Sequence, residues 1–227
     1  MKKLNVLITG IFLSAGLFLS SCNDNDATPG KGNIYFGVIT TSGTTGNAGS
    51  RVAAANDLVF TGGKITIREV VFDGDNGGQS VSRTIEQIAE INYATGAVTP
   101  EIVVEVPAGD YTSVNLGIEM QDDGDDPSTV LEGTYTNSNE ESIPVRFEFN
   151  SGEVFEANAS SVTIAEGADI VGKVTFDAID WFSVISAEQL DNATLTEGVM
   201  VISSTSNTGI FDAVADRLDV ATEATFE

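Results

Sequence analysis

Apolar side chains recur at every second position in run after run of this chain. Ile102, Val104 and Val106 alternate with Val103 and Glu105. Val114, Leu116, Ile118 and Met120 alternate with Asn115, Gly117 and Glu119. Ile143, Val145, Phe147 and Phe149 alternate with Pro144, Arg146 and Glu148. Ile170, Gly172, Val174 and Phe176 alternate with Val171, Lys173 and Thr175. A period of two puts neighbouring side chains on opposite faces of an extended backbone, so each run reads as a strand with one buried face. Residues 33–40 form a further β-rich run, read as the first strand. Pro144 confines its strand to a sheet edge or sits among its first residues. In residues 57–72, Leu58, Phe60, Ile65, Ile67, Val70 and Phe72 lose phase near Arg68-Glu69, which predicts a β-bulge or burial on both faces. Turns are expected at Asp73-Gly74-Asp75-Asn76-Gly77-Gly78 and at Pro107-Ala108-Gly109-Asp110. Asn150-Ser151-Gly152 reads as a tight hairpin into residues 153–157.

The last quarter of the chain changes character. Ser186 and Gln189 have capping-box spacing, with Ile185 and Leu190 placed as a hydrophobic staple, so a short helix is expected near residues 187–193. Ile210, Phe211, Val214, Leu218 and Ala221 recur at helical spacing, with Asn207 or Thr208 as the cap. The C-terminus therefore reads as helical. The expected fold class is mainly β: an antiparallel β-sandwich (immunoglobulin/transthyretin-like) with short helices near the C-terminus. Residues 33–227 are read as one such domain.

The N-terminus carries a different signal. Lys2 and Lys3 precede an apolar run from Leu4 to Leu19, followed by Ser20, Ser21 and Cys22. A charged start, a short apolar core and small residues before a cut site define a secretory signal over residues 1–21. Leu19-Ser20-Ser21-Cys22 resembles the bacterial lipobox, in which the cysteine is acylated and the chain is cut just before it. Cys22 is the only cysteine, so an exported chain has no internal partner for it, and lipidation accounts for the odd count. Residues 22–32, polar and rich in turn formers, read as a flexible tether. Asp24 and Asp26 resemble the acidic surface-export signal of Bacteroidota lipoproteins; a plain solvated linker is the alternative. The expected location is the cell envelope, lipid-anchored, in the outer membrane and either periplasmic or surface-facing.

Composition excludes several kinds of chemistry. The chain has 10 basic and 34 acidic residues, a formal charge of −24 that becomes −26 once Lys2 and Lys3 are removed. Such a surface repels nucleic acid. There is no histidine, which removes Ser-His-Asp and Cys-His nucleophiles and the usual zinc sites. Paired carboxylates leave a glycosidase open, but the one tryptophan, Trp181, lies beside Phe182 in an apolar stretch and reads as core. No enzyme is therefore expected. Calcium is the one cofactor considered: Asp122, Asp123, Asp125 and Asp126 put four carboxylates in five residues after a strand, without EF-hand spacing. Asp73-Gly74-Asp75-Asn76 is a second such segment. The alternative for both is a solvated hairpin tip, where Asp and Gly are good turn residues. Arg68, Arg146 and Lys173, which interrupt apolar strands, read as outward side chains paired with acids.

Ile102 to Ile118 contains Pro107-Ala108-Gly109-Asp110-Tyr111 between two strands. This segment resembles a recurring element of cell-envelope β-sandwich lipoproteins, and is similar to a domain family of unknown function in Bacteroidota. Pro107 and Gly109 shape the turn and Tyr111 anchors its exit. The resemblance implies a fold and a compartment and brings no catalytic residues. The expected role is a non-catalytic, lipid-anchored envelope module that binds an envelope protein, a glycan or an ion. The alternative is a fimbrillin-like or adhesin structural subunit assembling by strand addition.

Overall fold

The computed structural model describes residues 30–41, 58–122, 124–152, 154–218 and 224–227. The signal segment 1–21, Cys22, most of the tether and Asp123 lie outside them.

The described residues form twelve strands and three short helices. The strands are β1 (Lys31–Thr40), β2 (Leu58–Asn76), β3 (Gln79–Asn92), β4 (Val98–Thr99), β5 (Val103–Pro107), β6 (Gly109–Met120), β7 (Thr129–Thr136), β8 (Ser142–Phe149), β9 (Val154–Ile164), β10 (Asp169–Phe176), β11 (Met200–Ile202) and β12 (Ala224–Phe226). The helices are α1 (Ala178–Trp181), continued by a 3-10 turn at Phe182–Val184, then α2 (Ala187–Asp191) and α3 (Thr208–Ala215). None of these helices is long and apolar enough to cross a membrane.

The strands fall into two sheets. The first has the order β12-β10-β1-β5. The second has the order β11-β8-β7-β2-β3-β4, with β6 on β2 and β9 on β6. The 19-residue strand β2 is the spine of the second sheet. Its first part, Leu58 to Ile65, pairs with β7, and its later part, Ile67 to Asn76, pairs with β6.

The pairing is mixed, not wholly antiparallel. β1 and β10 run parallel, as do β8 and β11. Parallel partners need a long crossover. Both pairs have one, since most of the chain separates β1 from β10 and the helical segment separates β8 from β11.

The alternation read from sequence is what the core uses. Ile102, Val104, Val106, Val114, Leu116, Ile118, Met120, Val145, Phe147, Phe149, Val174 and Phe176 are all buried. Phe155 of β9 meets Phe176 of β10 edge-to-face at 5.6 Å, joining the two sheets. Phe60 and Phe147 of the second sheet meet Phe182 at 5.1 and 5.5 Å. The helical segment thus covers the β2–β7–β8 end, and Trp181 packs edge-to-face on Phe176. Tyr93, after β3, donates to the carbonyl of Thr41 after β1 at 2.9 Å.

Several local expectations hold. Ser186 and Gln189 form the capping box of α2, and Ile185 and Leu190 are buried beside it. Tyr111 donates to the carbonyl of Pro107 at 2.6 Å, closing the Pro-Ala-Gly turn. Pro144 is the third residue of β8 and lies just before Val145, where pairing with β11 begins.

Others are corrected. β1 begins at Lys31, two residues early, because Lys31 and Gly32 already pair with Pro107 and Val106. Asp73 to Asn76 are strand, held between β3 and β6, and the turn is Gly77-Gly78 alone, with φ of 60° and 87°. Asn150-Ser151-Gly152 is a crossover instead of a hairpin. β8 has β7 and β11 on its two sides, so β9 pairs with β6. Asn207 precedes α3, but its side chain does not cap the helix. It accepts from the Thr194 amide and donates to the carbonyls of Thr194 and Val201. α3 ends at Ala215 and Leu218 lies in a turn; Ala221 is outside the described residues, and Ala224–Phe226 form β12, antiparallel to β10, where the C-terminus was expected to be helical.

Candidate functional site

The phase slip at Arg68-Glu69 is a bulge shared by three strands. Ile67 pairs with Ala89 of β3 and Met120 of β6, while Glu69 pairs with Glu86 and Glu119. Arg68 is the extra residue against β6, and Gln87 and Ile88 stand opposite it on β3. A bulge lets two successive residues leave the same face. Ile67 and Val70 stay buried, while Arg68 and Glu69 are both partly exposed. The result is a groove of about 400 Å³ lined by Arg68, Glu69, Glu86, Gln87, Ile88, Glu119 and Gln121. Ile88 forms an apolar rim, 60% exposed.

The register sets three carboxylates in a row: Glu86, Glu69 and Glu119 are directly opposed across β3, β2 and β6. Like charges at such positions repel. The guanidinium of Arg68 offsets this: it hydrogen-bonds to Glu119 and to Asp122 Oδ1, the latter at 3.1 Å.

Asp122 opens the acidic loop. Gly152 packs so close that a Cβ there would stand 2.6 Å from Asp122 Oδ2, and Asn150 donates to the Gly124 carbonyl at 3.2 Å. Of the four aspartates considered for calcium, Asp122 is turned toward Arg68, Asp125 and Asp126 are exposed, and Asp123 lies outside the described residues. Among the described residues no three acidic side chains gather as a metal would need. Asp73 and Asp75 belong to the β2 ladder and form no loop.

Arg146 pairs with Glu132 and Glu148, and Lys173 with Glu227, as their outward placement predicts. Sequence reading missed the groove itself. Its one visible trace was the lost phase at Arg68-Glu69, because Glu86, Gln87 and Ile88 belong to a strand without alternation.

A second feature is the rim of the second sheet. β9 pairs with β6 along Val154 to Ile164, and among the described residues nothing pairs with its other side. Comparison of the chain with family models, with curated proteins and with solved structures finds no match.

Proposed function

We propose that this chain is a lipid-anchored cell-envelope protein whose β domain binds a partner and catalyses no reaction of its own. The observation that carries the reading is Leu19-Ser20-Ser21-Cys22 behind a positive start and an apolar run, with Cys22 the sole cysteine. The two sheets are read as the layers of a β-sandwich, which the Phe155–Phe176 contact supports. Gly30, eight residues past Cys22, already accepts from the Ala108 amide at 2.6 Å. The groove on the second sheet offers carboxylates, the Arg68 guanidinium held by Glu119 and Asp122, and the apolar rim of Ile88, a set suited to recognising a protein or a glycan. Mass spectrometry of the native protein tests the anchor: the expected N-terminal residue is an acylated Cys22. Retention of residues 1–21, or an unmodified thiol, overturns it. A screen on aryl glycosides is expected to show no turnover.

A second reading, a structural subunit that assembles by strand addition, is favoured by β12. This three-residue strand guards one edge of the first sheet by pairing with Gly172 to Val174. A strand so short is displaced at low cost. Polymers of the mature chain in electron micrographs would favour this reading; a steady monomer in size-exclusion chromatography would favour the first.

A further inference from the structure

A sheet edge presents unpaired N–H and C=O groups, and proteins blunt it with lysine, proline or an abrupt end. β9 has 11 residues and uses none of these. It has no proline, and the ribbon it forms with β6 contains no lysine or arginine. That ribbon and the turn after it instead carry Asp110, Glu156 and Glu166, besides Glu119, which Arg68 of β2 engages. Of the lysines on the facing sheet, Lys31, whose carbonyl accepts from the Gly167 amide in that turn, is engaged by Glu105, and Lys173 by Glu227, both at 2.5 Å. Val154, at the start of the edge, is 49% exposed. Where the edge approaches β12, a cavity of about 310 Å³ opens between Ser161, Val162, Thr163, Ile170, Phe226 and Glu227.

We propose that the open edge of β9 takes up an extended segment of a partner protein bearing lysine or arginine at alternate positions, lengthening the second sheet by one strand. The backbone ladder supplies affinity whatever the sequence, and the side chains supply selection. Outward-facing Glu156, flanked by Val154 and Asn158, selects a cation on the same face of the incoming strand. The cavity by Phe226, walled on one side by Glu227, has room for a side chain near the end of the incoming strand. A second copy of this chain is a poor occupant. Two β9 edges side by side would set one acidic ribbon against another, and like charges across an interface are repelled. The inference rests on the reading of the domain as a binding module, and it does not depend on the lipid.

The test uses the full chain in detergent and two synthetic ten-residue peptides, one alternating lysine with valine and one alternating glutamate with valine. Fluorescence anisotropy at low salt is expected to show the lysine peptide binding at least about tenfold tighter. Hydrogen exchange of the β9 amides is expected to slow when it binds. Glu156→Lys is expected to narrow or reverse the preference. A lysine peptide N-methylated on the amides of one edge keeps its charge and loses the ladder, and is expected to bind about tenfold more weakly. Equal affinity of the two charged peptides overturns the proposal. So does undiminished binding of the methylated peptide, or protection that falls on the Arg68 groove. β9 amides already protected in the free chain, or a concentration-dependent dimer, would also overturn it. An unacylated Cys22 would defeat the anchor reading and leave these results unaffected.

Discussion

Gly62 and Gly63 are neighbours in β2 with opposite tolerances. Gly63 has φ of 118°, and a Cβ there would stand 2.0 Å from the Val130 carbonyl oxygen on β7; a Cβ at Gly62 meets nothing within 4 Å. Gly63→Ala is therefore expected to cost about 3 kcal/mol and Gly62→Ala less than about 0.5, a contrast that urea denaturation measures directly. Asp191 makes a prediction in pH. Hydrogen bonds from Ser138 and from Tyr135 hold its carboxyl below the ordinary carboxylate range. The folded chain then binds this proton more weakly than the unfolded chain. The stabilisation is present above the ordinary carboxylate pKa and is lost as pH falls through the depressed one. Asp191→Asn should be less stable than the parent at neutral pH, with melting curves that converge in acid. If the gap is the same at every pH, the hydrogen bonds are not its source. Tyr111→Phe should cost about 1 kcal/mol by removing the bond to the Pro107 carbonyl.

Among the elements, those with one wet and one dry face were legible in the sequence. β5, β6, β8 and β10 bury the side chains that their alternation marks, except that Ile143 and Ile170, near the starts of β8 and β10, are half-buried. β3 was invisible because its first ten residues, Gln79 to Ile88, are exposed or only half-buried on both faces, and only Ala89 and Ile91 enter the core. β12 was hidden by brevity: three residues carry no period, and β10 supplies their reason to be extended. The bulge was announced by lost phase, but the partners it lines up were not, since register between distant strands leaves no local mark. Arg68 is where that register has an energetic consequence. Arg68→Ala would leave Glu69, Glu86 and Glu119 in file with no guanidinium among them. With a partly exposed cation, the expected loss is at most about 1 kcal/mol. The loss should shrink in about 1 M NaCl, where repulsion is screened. A loss unchanged by salt would mean that Arg68 acts by packing.

On the scale of the whole molecule, a charge of −24 sets the conditions under which the fold is comfortable. Self-repulsion destabilises a compact anion, and added salt relieves it. The melting temperature should rise as NaCl increases from about 10 mM to about 500 mM; a flat response would show that the acids are too dispersed to matter. The long spine also gives the molecule two poles. Asn76 ends β2 beside Ala108, which Gly30 contacts, and Glu227 pairs with Val171 close to where β1 enters. Leu58, at the other end of β2, pairs with Tyr135 next to the 137–141 turn. A strand of 19 residues spans up to about 60 Å. Should Cys22 sit in lipid, a reporter fused after Glu227 would be crowded against headgroups, while one spliced into the 137–141 turn would ride at the far tip, clear of the bilayer.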